Sequence, residues 1–391
     1  MYGVGAAAVL YILAFYLGLC RRVVGKCRRD AAAVDDGSLG LISPGAFPSV
    51  SVIVYVNGDA NLLPGMLPLI LEQDYPAPME VIVVNDGERA MIEEAVGDLE
   101  LQYSNLYLTF TPPNSRNLSR KKLSLTIGAK AARYDTLVMT TASCQPGSPL
   151  WLRAMMSHVA QGADLVVGYS VAVPDADAEK KRQSRVASFD IVSTSLRYLS
   201  WAIQGRPYRA DGNNLAYRRE VFVKNRGFST HFNFNFGDDD IFVRQVAPHC
   251  RTAVELSPDS IIKLRTDDLA KQHAFDKQRY DFTGRHIPNS ARWYQAAGSW
   301  AWWIWLLCSV GVILAGLPSV VPAIAVTLLS LGLCVPLMIS WRRASRALFQ
   351  RPLMLTVPWL MLVYPFYNMW YRLRSRRERE KNYTWTSHKL F

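Results

Sequence analysis

Glu80-Val81-Ile82-Val83-Val84-Asn85-Asp86-Gly87 sets four consecutive β-branched residues against an Asn-Asp-Gly stop. A short, unbroken apolar run that ends in turn residues predicts a strand buried on both faces. Upstream, Val50-Ser51-Val52-Ile53-Val54-Tyr55-Val56 repeats the pattern and ends at Asn57-Gly58-Asp59. Between the two, Leu62, Leu63, Met66, Leu67, Leu69, Ile70 and Leu71 recur at helical spacing. Downstream come a helix pattern over about 89–99, an apolar stretch at 106–110, a Lys-rich helix over 120–133 and a fourth strand, Thr136-Leu137-Val138-Met139-Thr140. A further strand is expected over 165–173. Alternating strands and helices predict an α/β fold with a parallel, Rossmann-like sheet. Ligands of such sheets bind beyond the carboxyl ends of the strands, where Asp59, Asp86 and the residues after Thr140 fall.

The flanks are different. The 391 residues are 50% hydrophobic and only 19% charged, and the shortage of charge lies near both ends. With 11% aromatic residues and long apolar runs, the chain is not disordered. Its six cysteines form no CxxC, which excludes a disulfide scaffold. Residues 3–20 are uncharged and are followed by Arg21, Arg22, Lys26, Arg28 and Arg29, the reverse of a signal peptide and the order of an uncleaved anchor. Residues 293–341 carry no Asp, Glu, Lys or Arg over 49 positions, enough for a helical hairpin turning at Gly316-Leu317-Pro318. Trp300, Trp302, Trp303 and Trp305 suit an interfacial belt, and Arg342, Arg343, Arg346 and Arg351 mark the return. A last uncharged run, 352–371, holds Pro358 and Pro365 and precedes Arg372, Arg374, Arg376, Arg377, Arg379 and Lys381. Because those cations favour the cytoplasm, the run is read as interfacial or re-entrant, with a third C-terminal crossing as the alternative.

The expected domains are an anchor at 1–22, a basic linker at 23–47, a cytoplasmic α/β domain at 48–290, a membrane hairpin at 293–341, the segment at 352–371 and a basic tail at 372–391. The net charge of +12 tracks membrane flanks, which argues for a membrane partner and against nucleic acid. Apolar segments without internal charge argue against a transporter.

Six ordered motifs resemble glycosyltransferase family 2. They are the opening strand with Leu71-Glu72-Gln73-Asp74-Tyr75-Pro76, then Glu80 to Gly87, Gly128-Ala129-Lys130-Ala131-Ala132, Gly212-Asn213-Asn214-Leu215-Ala216-Tyr217-Arg218, Gly237-Asp238-Asp239-Asp240-Ile241-Phe242-Val243-Arg244, and Lys277-Gln278-Arg279-Tyr280. The resemblance implies a GT-A fold with flanking transmembrane helices. It also implies transfer of a sugar from a UDP- or GDP-linked donor to a lipid-linked or polysaccharide acceptor, inverting, in cell-envelope polysaccharide assembly. So few membrane helices point to a single addition rather than a processive synthase. On this reading Asp59, Asp86, Lys130 and Asn213 bind the nucleotide sugar, and Lys277, Gln278 and Arg279 take the diphosphate.

An inverting transfer needs a base for the acceptor hydroxyl. Asp238, six residues before Arg244, has the family's spacing and is the first candidate, with Asp239 in reserve. One departure stands out. The family places Asp-x-Asp after the fourth strand to hold Mg²⁺ or Mn²⁺, and this chain has Thr141 and Ser143 there. Cys144 is too soft to fill the gap, and Asp175-Ala176-Asp177 reads as a solvated loop. The loss leaves two functional readings: a transferase that neutralises the diphosphate with Lys130, Lys277 and Arg279, or a degenerate transferase that serves as a binding or scaffold subunit.

Overall fold

The computed structural model describes residues 2–35, 37, 42–113, 118–174 and 184–382. The chain divides into two units, one of Met1–Gly25, Arg182–Ser200 and Ile287–Ser375, the other of Lys26–Lys181, Trp201–His286 and Arg376–Phe391. The Asp175–Asp177 motif lies outside the described residues.

The second unit is the α/β body. Its helices and strands, after the N-terminal helix α1 (Tyr2–Asp35), are β1 (Val50–Val56), α2 (Leu63–Leu71), β2 (Met79–Asn85), α3 (Arg89–Gln102), β3 (Leu106–Phe110), α4 (Arg120–Ala131), β4 (Thr136–Thr141), β5 (Cys144–Pro146), α5 (Trp151–Ala160), β6 (Leu165–Val167) and β7 (Ser170–Pro174). After α6 (Arg185–Ile203) follow β8 (Leu215–Arg218), α7 (Arg219–Lys224), α8 (Asp240–Val246), β9 (Thr252–Val254), β10 (Ile262–Thr266) and α9 (Leu269–Thr283). A seven-stranded sheet has the order β3-β2-β1-β4-β8-β6-β9, and a small sheet the order β5-β10-β7. Strands β3, β2, β1 and β4 are mutually parallel, and β8 runs antiparallel to β4 and β6. The β-branched runs of β1 and β2 are buried almost throughout, as a sheet covered on both faces requires.

Gly128, read from sequence as part of a motif, serves packing. A Cβ there would lie 2.6 Å from Ile53 Cγ2 and 3.0 Å from Val84 Cγ2, both on stiff strand residues. In an unconstrained helix Gly→Ala stabilises by about 1 kcal/mol. Here Gly128→Ala is expected to destabilise by about 1–3 kcal/mol through overpacking, read as a lowered melting temperature of the purified protein.

Two sequence expectations are corrected. The strand over 165–173 is broken: β6 belongs to the large sheet and β7 to the small one. Gly168 lies between them, where a Cβ would come within 2.4 Å of Asn214 Cγ. Asn214 accepts from Trp151 Nε1 (3.1 Å) and donates to the carbonyls of Tyr169 (3.0 Å) and Ser260 (2.8 Å). The expected linker at 23–47 is also helical in its first part, because α1 runs on to Asp35 through Arg, Lys and Ala, which are strong helix formers. Asp30 on this extension accepts from Lys26 Nζ (2.5 Å) and from the Leu256 amide (2.9 Å).

The other unit holds the apolar helices. Among the described residues, three are long and apolar enough to cross a membrane: Gly3–Asp35, Asn289–Ala315 and Val321–Ala347. The last two are α10 and α11, separated at Gly316-Leu317-Pro318 as the breakers predict. Ile324, Leu328 and Leu331 of α11 are exposed, the surface a lipid-facing helix presents. The 352–371 run contributes to α12 (Val357–Asn382), in which Tyr364 donates to Asp190 (2.7 Å). Phe189 stacks on Trp341 at 4.6 Å.

Candidate active site

The site lies at the carboxyl edge of β1, β2 and β4. Asp86 follows β2 directly and its amide donates to the Val56 carbonyl at 2.8 Å, which ties it to the end of β1. Its carboxylate accepts from Tyr55 Oη (3.1 Å) and Asn57 Nδ2 (3.3 Å) and pairs with Arg120 Nη2 at 2.5 Å. Burial first, and then the Asp86 charge, push Tyr55 far above its usual range. Asp59 is half-buried after β1, and burial followed by the charge of Asp267 raises its carboxyl.

The three consecutive aspartates take separate partners. Asp238 pairs with Lys121 Nζ at 2.7 Å. Asp239 pairs with Arg279 Nη1 at 2.9 Å and accepts the amides of Gly212 (3.3 Å) and Asp240 (2.6 Å). Asp240 accepts from Arg209 Nε (3.1 Å) and Thr283 Oγ1 (2.6 Å). Gly237 just before them has φ +98°, and a Cβ there would meet Ile241 Cδ1 at 2.5 Å, so the turn that presents the aspartates requires glycine.

Their titration separates two roles. Burial pushes Asp238 up, but Lys121, Lys122 and Arg279 outweigh it and hold the carboxyl below its ordinary 3.8. Burial raises Asp239 to about 7 against the pull of Arg279, helped by the neighbouring aspartates. Asp239 is fully buried and engaged on both oxygens, so its geometry is that of a cap and anchor for α8 rather than the reserve base expected from sequence.

Three consecutive cations open α4, and the sequence reading assigned them no role beyond a Lys-rich helix. Arg120 meets Asp86, Lys121 meets Asp238, and buried Lys122 donates to the carbonyls of His231 (2.7 Å), Phe234 (2.9 Å) and Phe236 (2.9 Å). Lys122 thereby fixes the loop that leads into Gly237. Burial lowers its ammonium to about 8.

Lys130 is a correction. It is exposed on the last turn of α4, nine positions along the helix from Lys121, about 14 Å along the axis. The helix runs antiparallel to the strands, so its first turn and not its last reaches the ligand edge. Asn213 donates its amide to Asp211 (3.1 Å), and Asp211 accepts from the Ser170 amide (2.9 Å) and hydroxyl. Of the basic segment on α9, Arg279 is buried against Asp239, while Lys277 and Gln278 are half-exposed. Arg209, Asp211 and Thr283 also escaped the sequence reading, since nothing in their local sequence announces a partner some 30 to 75 positions away.

The residues where the family resemblance expects a divalent cation do not fit one. Thr141 and Ser143 offer neutral hydroxyls 3.4 Å apart, and Thr141 Oγ1 donates to Cys144 Sγ at 3.1 Å. Burial raises the Cys144 thiol to about 12, which keeps it protonated. Hard dications take anionic oxygen ligands, and this set supplies none. Among the described residues, one group of three His and carboxylate ligands falls within 4.8 Å, namely Asp30, His158 and Glu255. These atoms already have partners, with His158 Nε2 on Glu255 at 2.7 Å and Asp30 on Lys26 at 2.5 Å. None of the three belongs to the degenerate motif.

Residues 49–228 match the family model for glycosyl transferase family 2. No curated protein matches the chain. The mannosyltransferase PcManGT from Pyrobaculum calidifontis, solved with GDP-Man and Mn²⁺, is 17% identical, covers 93% of this chain and 98% of its own, and superposes with a TM-score of 0.50. Glucosyl-3-phosphoglycerate synthase from Mycobacterium tuberculosis, solved with phosphoglyceric acid, is 16% identical over 64% of this chain and 85% of its own, with a TM-score of 0.40, too low to carry a conclusion. The fold is thus that of the GT-A glycosyltransferases. Residues 49–228 form a glycosyl transferase family 2 domain within this fold.

Proposed function

We propose that this protein transfers a sugar from a UDP- or GDP-linked donor to a lipid-linked or glycan acceptor at the cytoplasmic face of a membrane, with inversion at the anomeric carbon. The observation that carries this reading is the meeting of Asp86, from the end of β2, with Asp238, from the head of α8, through adjacent residues of α4. Asp86 and Asp59 bind the base and ribose, since carboxylates there accept from their N–H and O–H groups. Asp238 is the base. The acceptor hydroxyl gives its proton to Asp238 as its oxygen bonds to the anomeric carbon. The bond from that carbon to phosphate breaks, and its electron pair leaves on the nucleoside diphosphate. The three apolar helices and their basic flanks support a membrane-borne acceptor and a cytoplasmic site.

The absence of carboxylates at 141 and 143 favours a second reading, a binding subunit that has lost turnover. The two part on Asp238, which a mere scaffold does not need beside a nucleotide site.

Asp86→Ala is expected to weaken binding of the preferred nucleoside diphosphate about tenfold or more in calorimetric titration, the loss of one charged hydrogen-bonding partner. Unchanged affinity would remove Asp86 from the nucleotide site.

A further inference from the structure

Asp86, Asp238, Asp239 and Asp240 each meet a cation, and the four pairs are not equivalent. Arg209 and Arg279 are buried, with side-chain exposures of 7% and 9%, and each has further partners on α9. Arg120 and Lys121, on the first turn of α4, keep 31% and 24% of their side chains exposed. An arriving anion therefore meets Arg120 and Lys121, while the other two cations stay where they are. Lys121 is the less tethered of the lysines here, because its ammonium sits on a flexible four-carbon stem and its contact is Asp238 alone among the side-chain bonds described.

This geometry meets the misfit at 141 and 143. A diphosphate leaving group accumulates charge as the glycosidic bond breaks, and that charge needs a counter-ion. Two neutral hydroxyls hold no dication to provide it. Resting on the transferase reading above, we propose that Lys121 is the mobile counter-ion of this site: it covers Asp238 in the free chain, and the donor diphosphate draws it away. One movement then does two things. It sets a positive charge, with Arg120 beside it, where the family uses a metal. It also uncovers the Asp238 carboxylate for the acceptor hydroxyl only once the donor is in place, which guards against protonation of the base by water or premature pairing with an acceptor. Lys121 touches the leaving group and so is a catalytic residue in this scheme, whereas Lys122, one position on, is structural.

The test is calorimetric titration of the full-length, detergent-solubilised protein with UDP and GDP, each in EDTA and in Mn²⁺. The expected result is that one of them binds with an affinity that changes less than about threefold between the two conditions, and that Lys121→Met weakens it about tenfold or more in EDTA. The matching nucleoside, uridine or guanosine, should bind wild type and variant alike, because it lacks the phosphates. Binding that requires Mn²⁺ would overturn the counter-ion role while leaving the transferase reading intact, and so would equal diphosphate affinity in Lys121→Met. Binding of neither nucleotide in any condition would overturn both. The wild-type comparison keeps the proposal falsifiable if the variant does not fold.

Discussion

Asp238→Asn is expected to lower kcat by about 10²–10⁴-fold, the range for loss of a general base. Nucleotide affinity should hold or tighten, because the variant keeps the shape of the side chain and frees Lys121 from its ion pair. That split between turnover and binding separates a base from a residue that merely shapes the site. The pH dependence has a definite sign. The base works as a carboxylate, so activity is present above its pKa and lost as pH falls through it. Lys121 holds the Asp238 pKa below 3.8 in the free chain. The kcat/KM profile, which reports the free enzyme, should therefore show no limb from Asp238 above about pH 5, and a limb near 7 would report Asp239, whose carboxyl burial raises to about 7. Full turnover in Asp238→Asn would remove the base assignment.

Lys122→Met is expected to cost about 3 kcal/mol or more of stability, because three buried carbonyls lose their donor. The ammonium is fully buried and serves the carbonyls of His231, Phe234 and Phe236. Methionine fills the volume but leaves all three acceptors without this donor, and each buried carbonyl left unpaired costs about 1–3 kcal/mol. The loop that those bonds hold leads straight into Gly237 and Asp238, so activity should fall with stability. Lys121→Met, one residue away, should lower the melting temperature by less, because its side chain is 24% exposed and it leaves one buried carboxylate rather than three carbonyls without a partner. A thermal-unfolding comparison of the two variants checks this, and equal melting temperatures would contradict the division of roles within Arg120-Lys121-Lys122.

The strands were the most legible part of the chain. β1, β2 and β4 are runs of β-branched and apolar residues buried on both faces, and such runs leave a signal in composition alone. The position of Asp86 was legible for the same reason, since it follows β2 directly at the carboxyl edge of the sheet. The two long apolar helices α10 and α11 were legible from their missing charge. The fate of residues 165–173 was not, because the break lies at Gly168, whose close approach to Asn214, 46 positions on, leaves no local signal. The cations on α4 were misread for an instructive reason. Lys130 was chosen by motif, but the direction of a helix that follows a parallel strand places its first turn at the ligand edge, which points to Arg120 and Lys121. The partners of Asp239 and Asp240 lie on α9 and in the segment before β8, and only the folded chain brings Arg279 and Arg209 to them.

Turnover of a nucleotide sugar at the site built around Asp86 and Asp238 is read as release of nucleoside diphosphate from a panel of UDP- and GDP-linked sugars by the full-length protein in nanodiscs, with membrane lipid extract as acceptor. Release from one donor, labelled sugar in the lipid fraction, and loss of both in Asp238→Asn are expected. No release from any donor, or release that persists in Asp238→Asn, would contradict turnover at this site.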